Sequence, residues 1–229
     1  MFEVTGLRSG YGQSEVIKSL DLQVGDNETL AIMGRNGMGK TTLFKTLVGL
    51  IDARDGKIAL NGADLTKEPT HKRVASGLAY VPQGRMIFPS LTVLENISTG
   101  LETVKSKRIP HDIFDLFPVL HDMRHRKGGN LSGGQQQQLA IARALVSNPE
   151  VLLLDEPTEG IQPSIIKDIA KTLNDISEMR KITIVVSEQI LSFTMEIADR
   201  LLVIESGKIV YEAPRSECDE QTISDFLSV

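Results

Sequence analysis

The most informative stretch of this sequence is Gly34-Arg35-Asn36-Gly37-Met38-Gly39-Lys40-Thr41-Thr42. It fits a phosphate-loop pattern, in which two glycines with four residues between them are followed by lysine and then serine or threonine. An apolar run over residues 29–33 precedes the loop, and Leu43 and Leu47 follow it at helical spacing. The sequence therefore predicts a buried strand, a phosphate-binding loop and a helix, in that order.

The residue types in this loop suit a nucleoside triphosphate. Glycines allow backbone N–H groups to approach phosphate oxygens closely, and the N-terminus of the following helix adds a partial positive charge. Lys40 is expected to reach the β- and γ-phosphates, and the Thr41 hydroxyl to ligate Mg²⁺. The alternative is a glycine-rich turn that binds nothing, but the flanking strand and helix patterns argue against it.

The composition is that of an ordinary globular protein and excludes several classes. The 229 residues are 41% hydrophobic and 24% charged, and the formal net charge of −5 argues against binding nucleic acid through a broad basic field. Cys218 is the single cysteine, which excludes an intramolecular disulfide and fits a reducing cytosol. We expect no signal peptide, and no apolar run approaches the ~20 residues that span a bilayer. Any role at a membrane should therefore depend on a partner protein.

The first 30 residues alternate apolar and polar side chains between glycine-rich turns. This pattern predicts antiparallel strands that lead into the phosphate-loop strand. Tyr11 lies between Gly10 and Gly12 in this region. An exposed aromatic ring there could stack on a nucleotide base, but a tyrosine packed on its own hairpin explains the pattern equally well.

Gln83 follows a predicted strand over residues 78–81. Beside a phosphate loop its amide could coordinate Mg²⁺ or a water molecule, although a solvated polar residue is the commoner outcome. Apolar residues at helical spacing then predict a mostly helical insert over about residues 85–149. Within it, His121 and His125 are predicted to share a helix face. The basic residues around them and the lack of a third ligand favour a solvated face over a metal site.

A second predicted helix start follows at Leu131-Ser132-Gly133-Gly134-Gln135. Ser132 is suited to cap the helix, and the two glycines leave backbone N–H groups accessible. The segment therefore predicts a second helix N-terminus that can bind an anion. The four consecutive glutamines over residues 135–138 are expected to form a polar face of this helix.

Two carboxylates end a strongly apolar strand. Residues 151–154 are a continuous apolar run, which predicts a strand buried on both faces of a parallel sheet, and Asp155 and Glu156 follow it. Beside a phosphate loop, Asp155 is expected to ligate Mg²⁺ and Glu156 to polarise the attacking water. The alternative is a turn with a helix cap. Residues 182–186 predict another buried strand, which would bring Ser187-Glu188-Gln189 to a ligand crevice.

Taken together, these ordered motifs resemble the ATP-binding subunits of ABC transporters, and the resemblance covers essentially the whole chain. It implies an α/β fold of the P-loop NTPase class and ABC type. Such a fold has a mixed sheet with flanking helices, an N-terminal antiparallel β subdomain and a helical signature subdomain. A single domain would span residues 1–229, with a RecA-like core of about 1–84 and 150–229 and a helical subdomain of about 85–149.

The resemblance also implies a homo- or heterodimer of ATPase subunits and roles for individual residues. Two ATP molecules would each lie between the phosphate loop of one subunit and the residues 132–135 of the other. Tyr11 would stack on adenine, while Lys40 would bind phosphate and Glu156 would position water. The nucleotide-binding residues implied in this way are Tyr11, Gly34, Arg35, Asn36, Gly37, Met38, Gly39, Lys40, Thr41, Thr42, Gln83, Ser132, Gly133, Gly134 and Gln135, and the implied Mg²⁺ ligands are Thr41, Gln83 and Asp155.

A finer resemblance favours one branch of importers. Residues 80–89 and 198–200 resemble importers of branched-chain amino acids and amides, and residues 155–169 are most similar to the urea-importing members. The expected function is therefore the second, smaller ATPase subunit of a urea or short-chain amide importer. It would be cytoplasmic and peripheral on the inner face of the cell membrane, bound to permease subunits and served by a solute-binding protein.

Two residues depart from the family pattern. Gln189 stands at the switch position, where a histidine is usual, and Gln162 replaces a common aspartate. Glutamine can donate a hydrogen bond to phosphate but cannot carry a positive charge. We hypothesise that this site turns over slowly, or that it depends on a partner ATPase subunit that retains the histidine.

Three other functions stay open on the sequence. A branched-chain amino acid importer would share every catalytic motif. A soluble ABC ATPase of iron–sulfur assembly or translation is disfavoured by residues 84–97, whose apolar, proline-broken pattern suits a surface that receives a membrane partner. A regulator that binds nucleotide without hydrolysing it is disfavoured by Glu156.

Overall fold

A computed structural model describes residues 1–104 and 106–228; Lys105 and Val229, which the predicted domain of 1–229 includes, lie outside them. The strands are β1 (Phe2–Tyr11), β2 (Ser14–Val24), β3 (Thr29–Met33), β4 (Asp55–Leu60), β5 (Ala63–Asp64), β6 (Leu78–Val81), β7 (Val151–Asp155), β8 (Thr183–Glu188), β9 (Arg200–Glu205) and β10 (Lys208–Pro214). The helices are α1 (Lys40–Val48), α2 (Thr70–Ala75), α3 (Val93–Thr99), α4 (Asp112–Leu116), α5 (Pro118–Asp122), α6 (Gly133–Leu145), α7 (Pro163–Arg180), α8 (Leu191–Ile197) and α9 (Glu220–Leu227).

The larger sheet is mixed, with its strands in the order β10-β9-β3-β8-β7-β6. Its neighbouring strands are parallel except for β10 and β9. Every residue of β3, β7 and β8 is buried, which confirms the three predicted buried strands, including β7 as a strand buried on both faces. β8 begins and ends later than predicted, so that Ser187 and Glu188 belong to the strand. Met33 pairs with Glu188 and Asp155 pairs with Ser187, so the carboxyl ends of these three strands meet at one edge.

The second sheet confirms the predicted antiparallel N-terminal strands, in the order β2-β1-β4-β5. Alternate residues of β3 then face two different cores, because side chains alternate across a strand. Leu30 and Ile32 join the core that contains α1 and the antiparallel sheet. Ala31 and Met33 join the core that contains residues of α3 to α9. Helix α1 therefore shares its core with both sheets, which fixes the phosphate loop at its N-terminus.

The C-terminal end of α1 is held by a buried arginine. The side chain of Arg73 is 2% exposed, and its Nη1 donates to the carbonyls of Thr46 and Leu47 at 2.8 Å each. The last carbonyls of a helix lack partners within the helix, so the guanidinium caps this end. Gly49 follows with a φ of 82°, and a Cβ there would lie 2.8 Å from Nε of Arg73. Glycine therefore both ends the helix and makes room for the arginine.

Residues 85–149 contain α3 to α6, and the division of the chain into a core and a helical subdomain stays a prediction. One expectation for this region was wrong: His121 and His125 do not share a helix, because α5 ends at Asp122. Beyond α5, the carbonyls of Arg124 and Arg126 accept hydrogen bonds at 2.9 Å from the first N–H groups of α3. Because these carbonyls bind α3, the chain does not continue as a helix. Among the described residues no group of three or more His, Cys, Asp and Glu could hold a metal ion.

The glutamines of α6 do not form one polar face, which corrects a second expectation. Successive residues of a helix are turned by ~100°, so four in a row point in most directions around it. Gln137 is accordingly 3% exposed, whereas Gln135, Gln136 and Gln138 are half-buried. Helix α7 is amphipathic, with Ile169, Leu173 and Ile176 among its buried residues. None of the described helices has both the length and the apolar character that crossing a membrane requires.

Candidate functional site

A cavity of about 300 Å³ lies in front of the N-terminus of α1. It is lined by Val16, Asn36, Gly37, Gly39, Lys40, Thr41, Thr42, Gln83 and Glu156. Helix α1 begins after Gly39, whose φ of 110° is in the left-handed region, and no side chain from the described residues caps it. The first N–H groups of the helix therefore lack a side-chain acceptor, and together with the helix dipole they suit an anion.

Lys40 is buried in this cavity and makes three contacts. Its Nζ donates to the carbonyls of Gly34 at 2.6 Å and Arg35 at 3.2 Å, and it lies 3.0 Å from Oε1 of Glu156. Lys40 and Glu156 are only 3% and 8% exposed, so water screens their attraction weakly. Gly34, Arg35 and Met38 do not line the cavity. Gly34 and Arg35 instead bind Lys40 through their carbonyls, and Sδ of Met38 accepts a hydrogen bond from the N–H of Ser206 at 3.4 Å.

Three hydroxyl groups donate to the carboxylate of Asp155 at the end of β7. Ser187 and Thr41 donate to Oδ1 at 2.6 Å and 3.3 Å, and Tyr80 donates to Oδ2 at 3.2 Å. Burial raises the pKa of Asp155; the three hydrogen bonds oppose that shift, and the neighbouring Glu156 charge adds to it. Burial and then the charge of Asp155 raise the pKa of Tyr80, so this phenol stays a donor at neutral pH.

Glu156 has a left-handed backbone, with a φ of 47°. Its N–H lies 3.1 Å from both the carbonyl oxygen and the hydroxyl of Ser187. Its carboxylate accepts from Nε2 of Gln83 and of Gln189, at 3.1 Å each, and also contacts Lys40. Such a backbone costs on the order of 1–3 kcal/mol in a residue other than glycine, so these contacts must stabilise it.

Gln189 directly follows β8 and reaches the phosphate loop. Its Nε2 donates to Oδ1 of Asn36 at 2.8 Å as well as to Oε1 of Glu156 at 3.1 Å. A glutamine amide carries two donor hydrogens on this nitrogen, so both are engaged. The structure therefore brings the switch position, the phosphate loop and the second carboxylate together.

The predicted signature residues and Tyr11 do not line this cavity. Tyr11 is 52% exposed at the end of β1, while Val16 of the next strand contributes to the lining. Ser132 and Gln135 form a capping box at the start of α6: Ser132 Oγ accepts from the Gln135 N–H at 3.4 Å, and Gln135 Oε1 accepts from the Ser132 N–H at 3.0 Å. This geometry confirms Ser132 as the N-cap. The two helix N-termini of one chain are thus separate sites.

Tyr80 and the contacts of Ser187 were not anticipated from the sequence. Tyr80 lies on β6 and Ser187 on β8, the two strands that flank β7. Their sequence signal was a polar or phenolic side chain near the carboxyl end of a predicted strand. That signal becomes specific only when the strand order is known, because the strand order decides which side chains contact Asp155.

The oxygen donors around Asp155 fit Mg²⁺. Thr41 and Gln83 both line the cavity; Asp155 does not, but its Oδ1 lies 3.3 Å from Oγ1 of Thr41. Mg²⁺ takes oxygen ligands and usually binds one or two carboxylates together with substrate phosphates and water. One carboxylate, one hydroxyl and one amide are a donor set of this kind.

Comparison with known families decides the assignment. Residues 17–159 match the family described as ABC transporter, a span that includes the phosphate loop, Gln83, Leu131 to Gln135 and Asp155. The chain belongs to the ABC transporter family. It is accordingly an ABC ATPase, whose hydrolysis of ATP powers transport.

This ABC ATPase is 35% identical to a probable branched-chain amino acid transport ATP-binding protein, LivF, of Archaeoglobus fulgidus, over 95% of this chain and 93% of that protein. It is 36% identical to the high-affinity branched-chain amino acid transport ATP-binding protein BraG of Pseudomonas aeruginosa, over 87% of each chain. It is also 35% identical to the lipopolysaccharide export system ATP-binding protein LptB of Haemophilus influenzae, over 89% of this chain and 86% of that protein. The names of these relatives agree on ATP binding and differ in what is transported.

The fold of this ABC ATPase matches a solved cassette. The ATP-binding cassette MJ0796, determined as a dimer in a post-hydrolysis state with ADP and Pi, has a TM-score of 0.83 at 22% identity. The match covers 94% of this chain and 99% of that one. It confirms the predicted fold class, a mixed α/β cassette with an antiparallel β subdomain and helices.

Proposed function

We propose that this ABC ATPase drives an importer as one of two ATP-binding subunits that close on two ATP molecules. The supporting observation is that the cavity at α1 and the N-terminus of α6 are separate in one chain. A γ-phosphate bound at α1 would have no contact with residues 132–135 of its own chain. The same residues of a second subunit, identical or related, would cover it.

In this proposal the phosphate loop binds the triphosphate and Tyr11 stacks on adenine. Lys40 and the N–H groups at the start of α1 would contact the β- and γ-phosphates. Tyr11 is exposed at the tip of the hairpin whose second strand supplies Val16 to the cavity, which suits a ring that meets a base at the cavity rim. Mg²⁺ bound at Thr41, Asp155 and Gln83 would supply charge neutralisation to the phosphates.

Glu156 is proposed to position and polarise the water that attacks the γ-phosphate. Gln83 and Gln189 both donate to its carboxylate, so they restrict its orientation. The same carboxylate lies 3.0 Å from Nζ of Lys40. When Lys40 moves its hydrogen bonds to phosphate oxygens, Glu156 is released from this contact and can accept one from water. Gln189 would then act through Glu156 and Asn36 without adding positive charge.

Exposed apolar side chains support docking on a membrane subunit. Met86 and Phe88 are 68% and 47% exposed in the loop before α3. Ile97 is buried, so the exposed apolar surface covers only the first part of the segment 84–97, where Met86 and Phe88 lie. Arg143 of α6 holds this loop, since its Nη1 donates to the carbonyl of Met86 at 2.9 Å and its guanidinium lies 5.5 Å from the Phe88 ring. We propose that this loop contacts a permease at the inner face of the membrane.

For the solute we propose a small amino acid or amide. The names of LivF and BraG support branched-chain amino acids. The resemblance of residues 155–169 to urea-importing members supports urea or a short-chain amide as the second candidate. The nucleotide site does not select between them, because the solute is bound by other subunits.

The test is transport by the complex that this chain forms. The chain is purified with the membrane subunits it binds and reconstituted in vesicles, and uptake of leucine and of urea is measured with Mg·ATP. We expect uptake of one solute class, which Glu156→Gln abolishes while ATP still binds. Glu178→Gln, which changes an exposed glutamate of α7, is the matched control and should keep full uptake. Isolation with iron–sulfur assembly or translation factors in place of a membrane protein would contradict the proposal, and so would export of a lipopolysaccharide.

A further inference from the structure

A buried carboxylate that the proposed catalytic set does not include lies beside the site. Glu188 is the last residue of β8 and is 2% exposed. In the part of the chain that the structure describes, no ion pair includes it. Burial raises the pKa of Glu188, and hydrogen bonds from Thr158, Gln189 and Ile190 oppose the shift. A buried carboxylate without a cation is costly unless donors surround it.

The four donors come from two different segments. Oε1 of Glu188 accepts from the N–H of Thr158 at 3.0 Å and from its hydroxyl at 2.5 Å. Oε2 accepts from the N–H of Gln189 at 3.0 Å and of Ile190 at 3.5 Å. One oxygen therefore binds the segment after β7, and the other binds the segment after β8.

Both segments determine where the carboxylate of Glu156 lies. Thr158 is two residues beyond Glu156, whose left-handed backbone must be stabilised by its surroundings. Gln189 donates directly to Oε1 of Glu156. Ser187, on the other side of Glu188 in sequence, fixes the N–H of Glu156. Three consecutive residues therefore act on Glu156. Ser187 binds its N–H, Glu188 binds Thr158, and Gln189 binds its carboxylate.

We infer that Glu188 is a positioning residue for ATP hydrolysis, which holds Thr158 and Gln189 so that Glu156 meets the attacking water in a productive orientation. The inference rests on the proposed role of Glu156. Glu188 does not line the cavity, and both of its carboxylate oxygens are bonded to Thr158, Gln189 and Ile190, so we expect no contact between Glu188 and the nucleotide. A change at Glu188 should therefore affect the rate of hydrolysis and leave nucleotide affinity unchanged.

The test uses the full chain in its membrane complex, where the wild-type rate is the reference. Glu188→Gln replaces one acceptor oxygen by a donor that faces N–H groups, and Thr158→Val removes the hydroxyl donor. Because small displacements of a catalytic group can lower a rate ~100-fold, we expect kcat to fall about 10- to 100-fold for Glu188→Gln. The KM for ATP and the Kd for Mg·ATP should stay within about twofold of wild type. Thr158→Val should reduce kcat in the same manner, and Thr158→Ser should restore it.

Thr172→Val provides the matched control, because it also removes a buried threonine hydroxyl, one that bonds within α7 to the carbonyl of Asp168 at 2.8 Å. It should keep wild-type kcat. Wild-type kcat in both Glu188→Gln and Thr158→Val would overturn the inference and leave the proposed function intact. Parallel losses of kcat, nucleotide affinity and thermal stability would show a purely structural role and overturn it as well. Failure of the wild-type complex to bind or hydrolyse ATP would instead refute the proposed function, and the inference with it.

Discussion

Helices α1 and α6 both begin where the sequence predicts an N-terminus that binds an anion, but the two ends are constructed differently. Helix α1 starts after Gly39, with no side-chain cap among the described residues and with a buried lysine in its first turn. Helix α6 starts after Ser132, and the side chains of Ser132 and Gln135 each accept a capping hydrogen bond from a backbone N–H there. A capped end is stable by itself, whereas an uncapped one has N–H groups left for a ligand.

The difference indicates how the work is divided between the two ends. At α1 the ligand would be enclosed by its own chain, with Lys40, Thr41 and Glu156 around it. At α6 the backbone of two glycines lies outside the cavity of its own chain, with the guanidinium of Arg85 beside Gly133, so this end suits a phosphate already held by another subunit. The following changes test that division, in order of decreasing expected effect.

Lys40→Ala should remove most of the nucleotide affinity of the chain. Hydrogen bonds to charged groups contribute about 1.5–3 kcal/mol each, so losing one or two to phosphate should weaken Mg·ATP binding by about 100-fold. Isothermal titration calorimetry measures the Kd. Lys45→Ala changes a lysine of the same helix that does not line the cavity and should keep the wild-type Kd. An unchanged affinity for Lys40→Ala would show that α1 is not the primary nucleotide site.

Alanine at the two glycines of α6 should separate packing from function. A Cβ at residue 134 would lie 2.3 Å from Cγ2 of Ile165, so the Ile165 side chain must move, and Gly134→Ala should lower the free energy of unfolding by about 1–3 kcal/mol. A Cβ at residue 133 would meet only the end of Arg85, at 3.5 Å, so Gly133→Ala should unfold like wild type.

Gly133→Ala should nevertheless reduce ATP hydrolysis by the complex about tenfold, because a methyl group would stand where phosphate approaches the backbone. Its affinity for Mg·ATP as an isolated chain should not change. Thermal unfolding, calorimetry and phosphate release measure the three quantities. Weakened binding by the isolated chain would mean that α6 contributes to the site of its own chain.

Gln189→Ala should have a smaller effect on turnover. It removes a hydrogen bond to Asn36 and another to the Glu156 carboxylate. Because Gln83 still donates to that carboxylate, we expect a net loss of about 0.5–1.5 kcal/mol, which corresponds to a roughly 2- to 12-fold lower kcat. Because glutamine does not titrate, Gln189→His should add a limb near pH ~6.5 to the rate profile that the wild type lacks. Steady-state rates over pH 5 to 9 test both statements, and identical profiles for all three proteins would refute a role for this side chain.

The smallest effect concerns the charge buried next to α1. Burial raises the pKa of Asp155, so the folded state disfavours its ionised form, and that charge lowers stability at neutral pH. The penalty disappears as the pH falls through the folded pKa and below the ordinary value of an aspartate. Without nucleotide or Mg²⁺, Asp155→Asn should therefore raise Tm at pH 7 by about 2–4 °C.

This gain should vanish below about pH 4, where the wild-type carboxyl is protonated as well. Asp175→Asn, which changes an exposed aspartate of α7, should show no such gain at either pH. Scanning calorimetry at the two pH values makes the comparison. A lower Tm for Asp155→Asn at pH 7 would mean that its hydroxyl partners stabilise the charge more than burial opposes it.

The strands, the phosphate loop and both helix starts could be predicted because their signals are local. Alternation, apolar runs and the Ser132 cap depend on residues within a few positions of one another. The error at His121 and His125 has the opposite origin. It depends on hydrogen bonds to the start of α3, about 30 residues earlier, which no local pattern reports.

Much of the candidate site was outside the reach of sequence reasoning for the same reason. Gln189 and Asn36 are 153 positions apart, and their contact follows from β3 and β8 being neighbours in the sheet. The roles of Tyr80, Ser187 and Glu188 likewise depend on strand order. The identity of the solute is even harder to predict from the sequence, because the ATPase chemistry is the same whichever molecule is carried.

The arginine behind α1 has a practical consequence for protein engineering. Nine residues are too few for a helix to persist in water by itself, and here Arg73 holds the final turn through the carbonyls of Thr46 and Leu47. A designer who grafts residues 34–48 onto a foreign scaffold would leave that guanidinium behind. The last turn of the grafted helix would then unfold, and the loop would lose its support. A functional graft therefore has to include Arg73, or another donor to these carbonyls, together with the glycines.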